Sequence, residues 1–95
     1  EKKEKKKKVT KPKNLNDENA VLIVFNDDFN TFEFVIDCFI EICGHTFEIA
    51  SKLAWIIHTT GSAVVKSGDY DEMKKMKDLL VERGIFAIVQ KAESN

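Results

Sequence analysis

Val21-Leu22-Ile23-Val24-Phe25-Asn26-Asp27-Asp28-Phe29-Asn30-Thr31-Phe32-Glu33-Phe34-Val35 is the stretch on which the fold turns. Its first five residues are a continuous apolar run rich in β-branched side chains, the pattern of a strand buried on both faces. The run stops at Asn26-Asp27-Asp28, three poor strand formers. Asn30 with Glu33 three residues on has capping-box spacing. Phe32, Val35, Ile36, Phe39, Ile40 and Cys43 then recur at helical intervals up to Gly44, which predicts a first helix closed by a glycine.

Working outward toward the C-terminus, Thr46 can cap a second helix. Its apolar face uses Ile49, Ala50, Leu53, Ala54, Ile56 and Ile57, and it runs to about Thr59 with Gly61 as its stop. Ala63-Val64-Val65 predicts a short strand closed by Ser67-Gly68. Asp69 and Glu72 repeat the capping spacing and open a third helix through Met73, Met76, Leu79 and Leu80 to Gly84. Ile85 to Val89 is the last strand. The order β-α-α-β-α-β predicts an α+β fold, three helices packed on a small three-stranded antiparallel sheet, in one domain over residues 20–95.

Toward the N-terminus the composition changes. Residues 1–19 are Lys-rich, contain the sole proline and almost no apolar side chains. Such a segment buries too little surface to offset its ordering entropy, so a disordered extension is expected, either a solubilising tail or an arm that engages a partner. The net charge of -1 hides this asymmetry: residues 1–20 carry eight Lys against four acidic residues, and residues 21–95 carry seven basic against twelve acidic. An acidic domain argues against a nucleic-acid-binding face. No apolar run approaches the roughly 20 residues that span a bilayer, and the Lys- and Glu-led start predicts no secretory signal. Cys38 and Cys43, five apart in a helical pattern, do not form a disulfide framework and read as buried free thiols, suited to a reducing compartment.

Chemistry concentrates where the first strand ends. Alternation puts Asn26 and Asp28 on one side of the chain and Asp27 on the other. Taken alone, the three are a polar turn, since Asn and Asp bond nearby backbone. His58, at the end of the second helix, is by itself as readily a packing or capping residue. If it meets Asn26 and Asp28, however, the site holds an anion, an amide oxygen and a neutral imidazole nitrogen, a set that suits the three N–H donors of a protonated α-amino group. Phe32, Val35, Leu53, Ala54 and Ile57 read as core, or as the wall of a cavity beside that site.

Enzymatic alternatives have weaker patterns. Asp27, Asp28 and His58 as the centre of a metal-dependent hydrolase lack ligand spacing, and Cys43 with His45 lacks an orienting third group. There is no Gly-rich phosphate loop and no Gly-x-Ser-x-Gly elbow. No catalytic residue, metal or cofactor is therefore expected.

The run from Val24 to Val35, with His58 some thirty residues after Asn26, resembles the ClpS family, adaptors that deliver N-degron substrates to a Clp AAA+ protease. The resemblance extends over nearly all of residues 20–92 in the same element order. It implies that Asn26, Asp28 and His58 contact the substrate α-amino group, with Asp27 supporting them. It places the hydrophobic pocket on Val24, Asn30, Phe32, Val35, Ala54 and Ile57, with Leu53 adjacent and Ile85 or Phe86 from the last strand. The implied partners are a ClpA- or ClpC-like unfoldase and N-degron peptides starting with Phe, Leu, Tyr or Trp, with neither nucleic acid nor membrane involved. The implied compartment is the bacterial cytoplasm, or a plastid stroma after leader removal. The chain departs from the family pattern at Asn30-Thr31 in place of Thr-Pro, at Phe32 and Ala54 in place of two methionines, and at Val65-Lys66 in place of Cys-Gly. Those departures leave a second reading open, a protease-docking scaffold without peptide-binding activity.

Overall fold

A computed structural model describes residues 19–92, and the expected N-terminal extension lies outside them except for Asn19. The elements run β1 (Asn19–Phe25), α1 (Phe32–Glu41), α2 (Phe47–Thr60), β2 (Ser62–Asp69), α3 (Tyr70–Glu82) and β3 (Ala87–Lys91). This is the expected α+β order, and Asn19 proves to be the first residue of β1 rather than the last of the tail.

The apolar run becomes the middle of the sheet, which is ordered β2-β1-β3 with both pairings antiparallel. It is not buried on both faces. Ala20, Leu22 and Val24 are buried in the core, whereas Val21, Ile23 and Phe25 are half-buried. The helices pack on the first set, and the second set is partly covered by cross-strand neighbours. Ile23 sits between Val64 and Ile88, and Phe25 stacks on Phe86 with ring centroids 4.8 Å apart.

Strand β2 is longer than Ala63-Val64-Val65 because it pairs along all of β1, from Asn19 opposite Asp69 to Phe25 opposite Ser62. Backbone pairing there overrides the poor strand propensity of Lys66, Ser67 and Gly68. The register slips between Leu22 and Ile23, leaving Val65 without a partner across the ladder as a β-bulge. The His45 Nε2–H donates to the Val65 carbonyl at 2.6 Å, so the loop after α1 is tied to the bulge. Strand β3 begins at Ala87, not Ile85. Ile85 precedes it as a fully buried side chain.

The helix N-caps follow the sequence with one exception, and the first and third helices are C-capped by Ile42 and Arg83 ahead of the expected Gly44 and Gly84. Thr46 and Asp69 accept from Ile49 N and Glu72 N, as their spacing predicts. Helix α1 is capped by Thr31, which accepts from Phe34 N at 3.1 Å, and not by Asn30. The N–H and side-chain amide of Asn30 are already engaged by Asp27, one residue too early to serve the helix. Past Glu41 the α1 turn continues through Ile42 and Cys43 to Gly44, whose φ is 76°.

Phe39, Leu22, Met73, Leu80, Ile85, Val24, Cys38 and Cys43 are fully buried, and full burial of a large apolar side chain is worth about 1.5–3 kcal/mol. Helix α2 buries a narrow stripe of Ala50, Ala54 and Ile57. Ile49, expected on that face, is exposed, because the stripe begins one position later. Both cysteines are free and buried, and burial pushes the Cys43 thiol up to about 11. Among the described residues no helix is long and apolar enough to cross a membrane.

Candidate functional site

Two backbone hydrogen bonds anchor the point where β1 ends. Phe25 N–H donates to Phe86 O at 3.0 Å, and Asn26 N–H donates to Gly61 O at 2.9 Å. Gly61 is the C-cap of α2, with φ 105°, a backbone state that a side chain resists. His58 lies in the last turn of that helix. The bond from Asn26 to Gly61 therefore brings the strand end and the histidine to one place across 32 residues of chain.

Beyond Asn26 the backbone turns. Asp27 Oδ1 accepts from the N–H groups of Phe29 and Asn30, both at 2.8 Å, and Oδ2 accepts from Asn30 Nδ2 at 2.9 Å. Burial of the Asp27 carboxyl acts to raise its pKa, but the bonds from Asn30 and Phe29 outweigh it and hold the group below its ordinary value. The turn separates Asp27 from Asp28, as strand alternation suggested, although the chain is no longer extended there. Asp28 and Asn26 are exposed, and neither side chain has a hydrogen-bond partner among the described residues.

The strand end, the turn and the two helices surround a cavity of about 500 Å³, within the range of small-ligand sites. Asn26, Asp27, Asp28 and His58 line it together with Val24, Asn30, Phe32, Val35, Ala54 and Ile57. Leu53 does not line it. One residue from Ala54 is about 100° of helical rotation, and that rotation turns Leu53, half-buried, into the core. Of the two candidates near the last strand, Ile85 is on the wall and Phe86 is stacked on Phe25 instead. Phe32, placed by spacing on the buried face of α1, is 40% exposed at the helix start and lines the cavity.

Trp55 and Phe25 also line the cavity and were not anticipated. Trp55 is 58% exposed, and its ring lies 5.8 Å from the His58 imidazole, tilted by 38°. Its signal was present in the sequence: it is the single tryptophan, three residues before His58 and hence on the same helical face.

The competing arrangements do not assemble. The Cys43 thiol is buried and held protonated, and His45 is bonded to the Val65 carbonyl. Both Asp27 oxygens are occupied by N–H donors, and among the described residues no three His, Cys, Asp or Glu side chains converge as metal ligands. The cavity lining thus combines the Asp28 carboxyl, the Asn26 amide and the His58 imidazole with apolar side chains.

Comparison with known proteins agrees with this architecture. Residues 16–84 match the family model described as ATP-dependent Clp protease adaptor protein ClpS. The ATP-dependent Clp protease adapter protein ClpS of Synechocystis sp. is 37% identical over 76 residues, which cover 78% of this chain and 78% of that protein. The ClpS adapter of Streptomyces coelicolor is 34% identical over 70 residues, or 74% of this chain and 73% of the relative. Among solved structures, Agrobacterium tumefaciens ClpS2 bound to L-phenylalaninamide superposes with a TM-score of 0.69 at 22% identity, covering 80% of this chain and 99% of that one. With a family match over most of its length and relatives above 30% identity, the chain belongs to the ClpS family of ATP-dependent Clp protease adaptors, which are adaptor proteins and not enzymes.

Proposed function

We propose that this adaptor binds the first residue of N-degron substrates and hands them to a ClpA- or ClpC-like AAA+ unfoldase. The observation that carries the reading is the joint placement of Asn26, Asp28 and His58 on the wall of one apolar cavity of about 500 Å³. Asp28 supplies the countercharge to the α-ammonium group, Asn26 an oxygen acceptor, and an imidazole nitrogen of His58 a third acceptor. The first side chain, Phe, Leu, Tyr or Trp, fills the chamber between Phe32, Val35, Ala54 and Ile57. The ligand of the Agrobacterium protein, a phenylalanine amide with a free amino group, belongs to the same chemical class. Burying such a side chain contributes about 1.5–3 kcal/mol and each charged hydrogen bond about the same. After the cost of association, affinity on the micromolar order is expected. The relatives further support a bacterial cytoplasm, or a plastid stroma, as the place of action.

The test is a pair of peptides starting with Phe that differ only by N-acetylation. Acetylation removes the charge and two of the three donors, so the free peptide should bind and the acetylated one should not. Equal affinity for both would sink the amino-group mechanism.

A further inference from the structure

The cavity wall contains one polar group whose orientation is decided by its neighbours. Asn30 lines the chamber, half-buried. Its Nδ2 donates to Asp27 Oδ2 at 2.9 Å and to the Gly84 carbonyl at 3.0 Å. An ionised carboxylate and a peptide carbonyl can only accept, so the nitrogen must face both and the amide cannot be flipped. Its backbone N–H, bonded to Asp27 Oδ1 at 2.8 Å, holds the main chain as well. Among the described residues no donor reaches Oδ1. The side-chain amide is thus held by two bonds and the main chain by a third, and Oδ1 is the atom left to a ligand of the cavity that Asn30 lines together with Val24, Phe32, Val35, Ala54, Ile57 and Ile85.

We infer that Asn30 Oδ1 reads a polar hydrogen on the substrate's first side chain. The pocket then favours an aromatic ring that carries its own N–H or O–H, that of tryptophan or tyrosine, over phenylalanine and leucine. This rests on the reading given under Proposed function and names the substrate class of that same site. The physical reason is asymmetric. An apolar ring that enters the chamber strips water from Oδ1 and returns nothing, whereas an indole or phenol replaces the lost hydrogen bond. Ala54, small and buried, leaves room for the larger ring. Because Asn30 keeps partial contact with solvent, the discrimination is moderate, a few-fold to about tenfold in affinity.

The experiment uses peptides identical beyond the first residue, compared in pairs that differ only in the group bearing the polar hydrogen. One pair is tyrosine and phenylalanine; the other is tryptophan and 3-benzothienylalanine, in which sulfur replaces the indole N–H. Competition binding to the full chain should favour the polar member of each pair by several-fold, and the ratio should fall to about one in Asn30→Leu. Ratios near one in the unaltered protein overturn the inference, and this comparison needs no variant to fold. A ratio that persists in Asn30→Leu also overturns it, since another group must then be reading the hydrogen. The N-acetylated phenylalanine peptide is the control. Binding that ignores acetylation overturns the amino-group reading and this inference with it. Amine-dependent binding without discrimination within the pairs overturns the role of Asn30 alone.

Discussion

The carboxylate of Asp27 closes the turn after β1 by accepting three hydrogen bonds from Phe29 and Asn30. Its neighbour Asp28 makes none among the described residues. Adjacent residues of one type are thus divided by geometry: one carboxylate holds the turn, and the other lines the cavity. Replacing Asp27 by Ala should lower stability by about 1–2 kcal/mol, the sum of partly exposed hydrogen bonds that each contribute modestly, read by denaturant unfolding. The pH dependence has a definite sign. The folded carboxyl titrates below its unfolded value, so its stabilisation is fully present above about pH 3.9 and is lost as pH falls through the folded value. Comparing the unaltered protein with Asp27→Asn between pH 2 and 5 should show a steeper loss of stability on acidification in the former. Asp28→Asn should leave stability within about 0.5 kcal/mol. It should weaken binding of a Phe-started peptide tenfold or more, the value of about one charged hydrogen bond.

At the scale of elements, helix α2 delivers Ala54, Trp55, Ile57 and His58 to the cavity, and its position depends on how it ends. Gly61 stops the helix with φ 105° and offers the carbonyl that holds Asn26. Its missing Cβ would meet open space, so the penalty of a substitution lies in the backbone and not in a clash. Gly61→Ala should cost about 1–3 kcal/mol and loosen peptide binding as well, because the turn joins the two halves of the site. Trp55 provides the readout. As the single, half-exposed tryptophan on the wall, its fluorescence should change when a peptide binds and stay constant with the acetylated peptide. The start of α1 makes a complementary point. Thr31→Ala should destabilise by about 1 kcal/mol through loss of its cap, measured by thermal or denaturant unfolding.

Across the whole molecule, the same central strand anchors the core and aims the site. Leu22 is fully buried under the helices, and Val24, two residues along, lies on the cavity wall. Leu22→Ala should cost about 2–5 kcal/mol, and the resulting core slack lies one strand repeat from the pocket. Local chemistry that acts within a few residues was legible in the chain itself. The apolar run specified a strand, Thr46 and Asp69 specified their caps, and the periodic apolar residues specified three helices in the observed order. The polar residues at the strand end and His58 were also visible, as residue types out of keeping with their surroundings. Where competing local signals met, as at Asn30 and Thr31, spacing favoured the wrong cap because it does not register that Asp27 engages Asn30 first. Other features belong to the tertiary structure alone. Which face of β1 is covered, how far β2 extends, the bulge at Val65, and the exclusion of Leu53 and Phe86 from the wall all depend on packing between distant segments. The cavity is lined by segments that meet only in the folded chain, the strand end and the end of α2 being joined by the Asn26–Gly61 bond, and no pattern along the chain encodes that meeting.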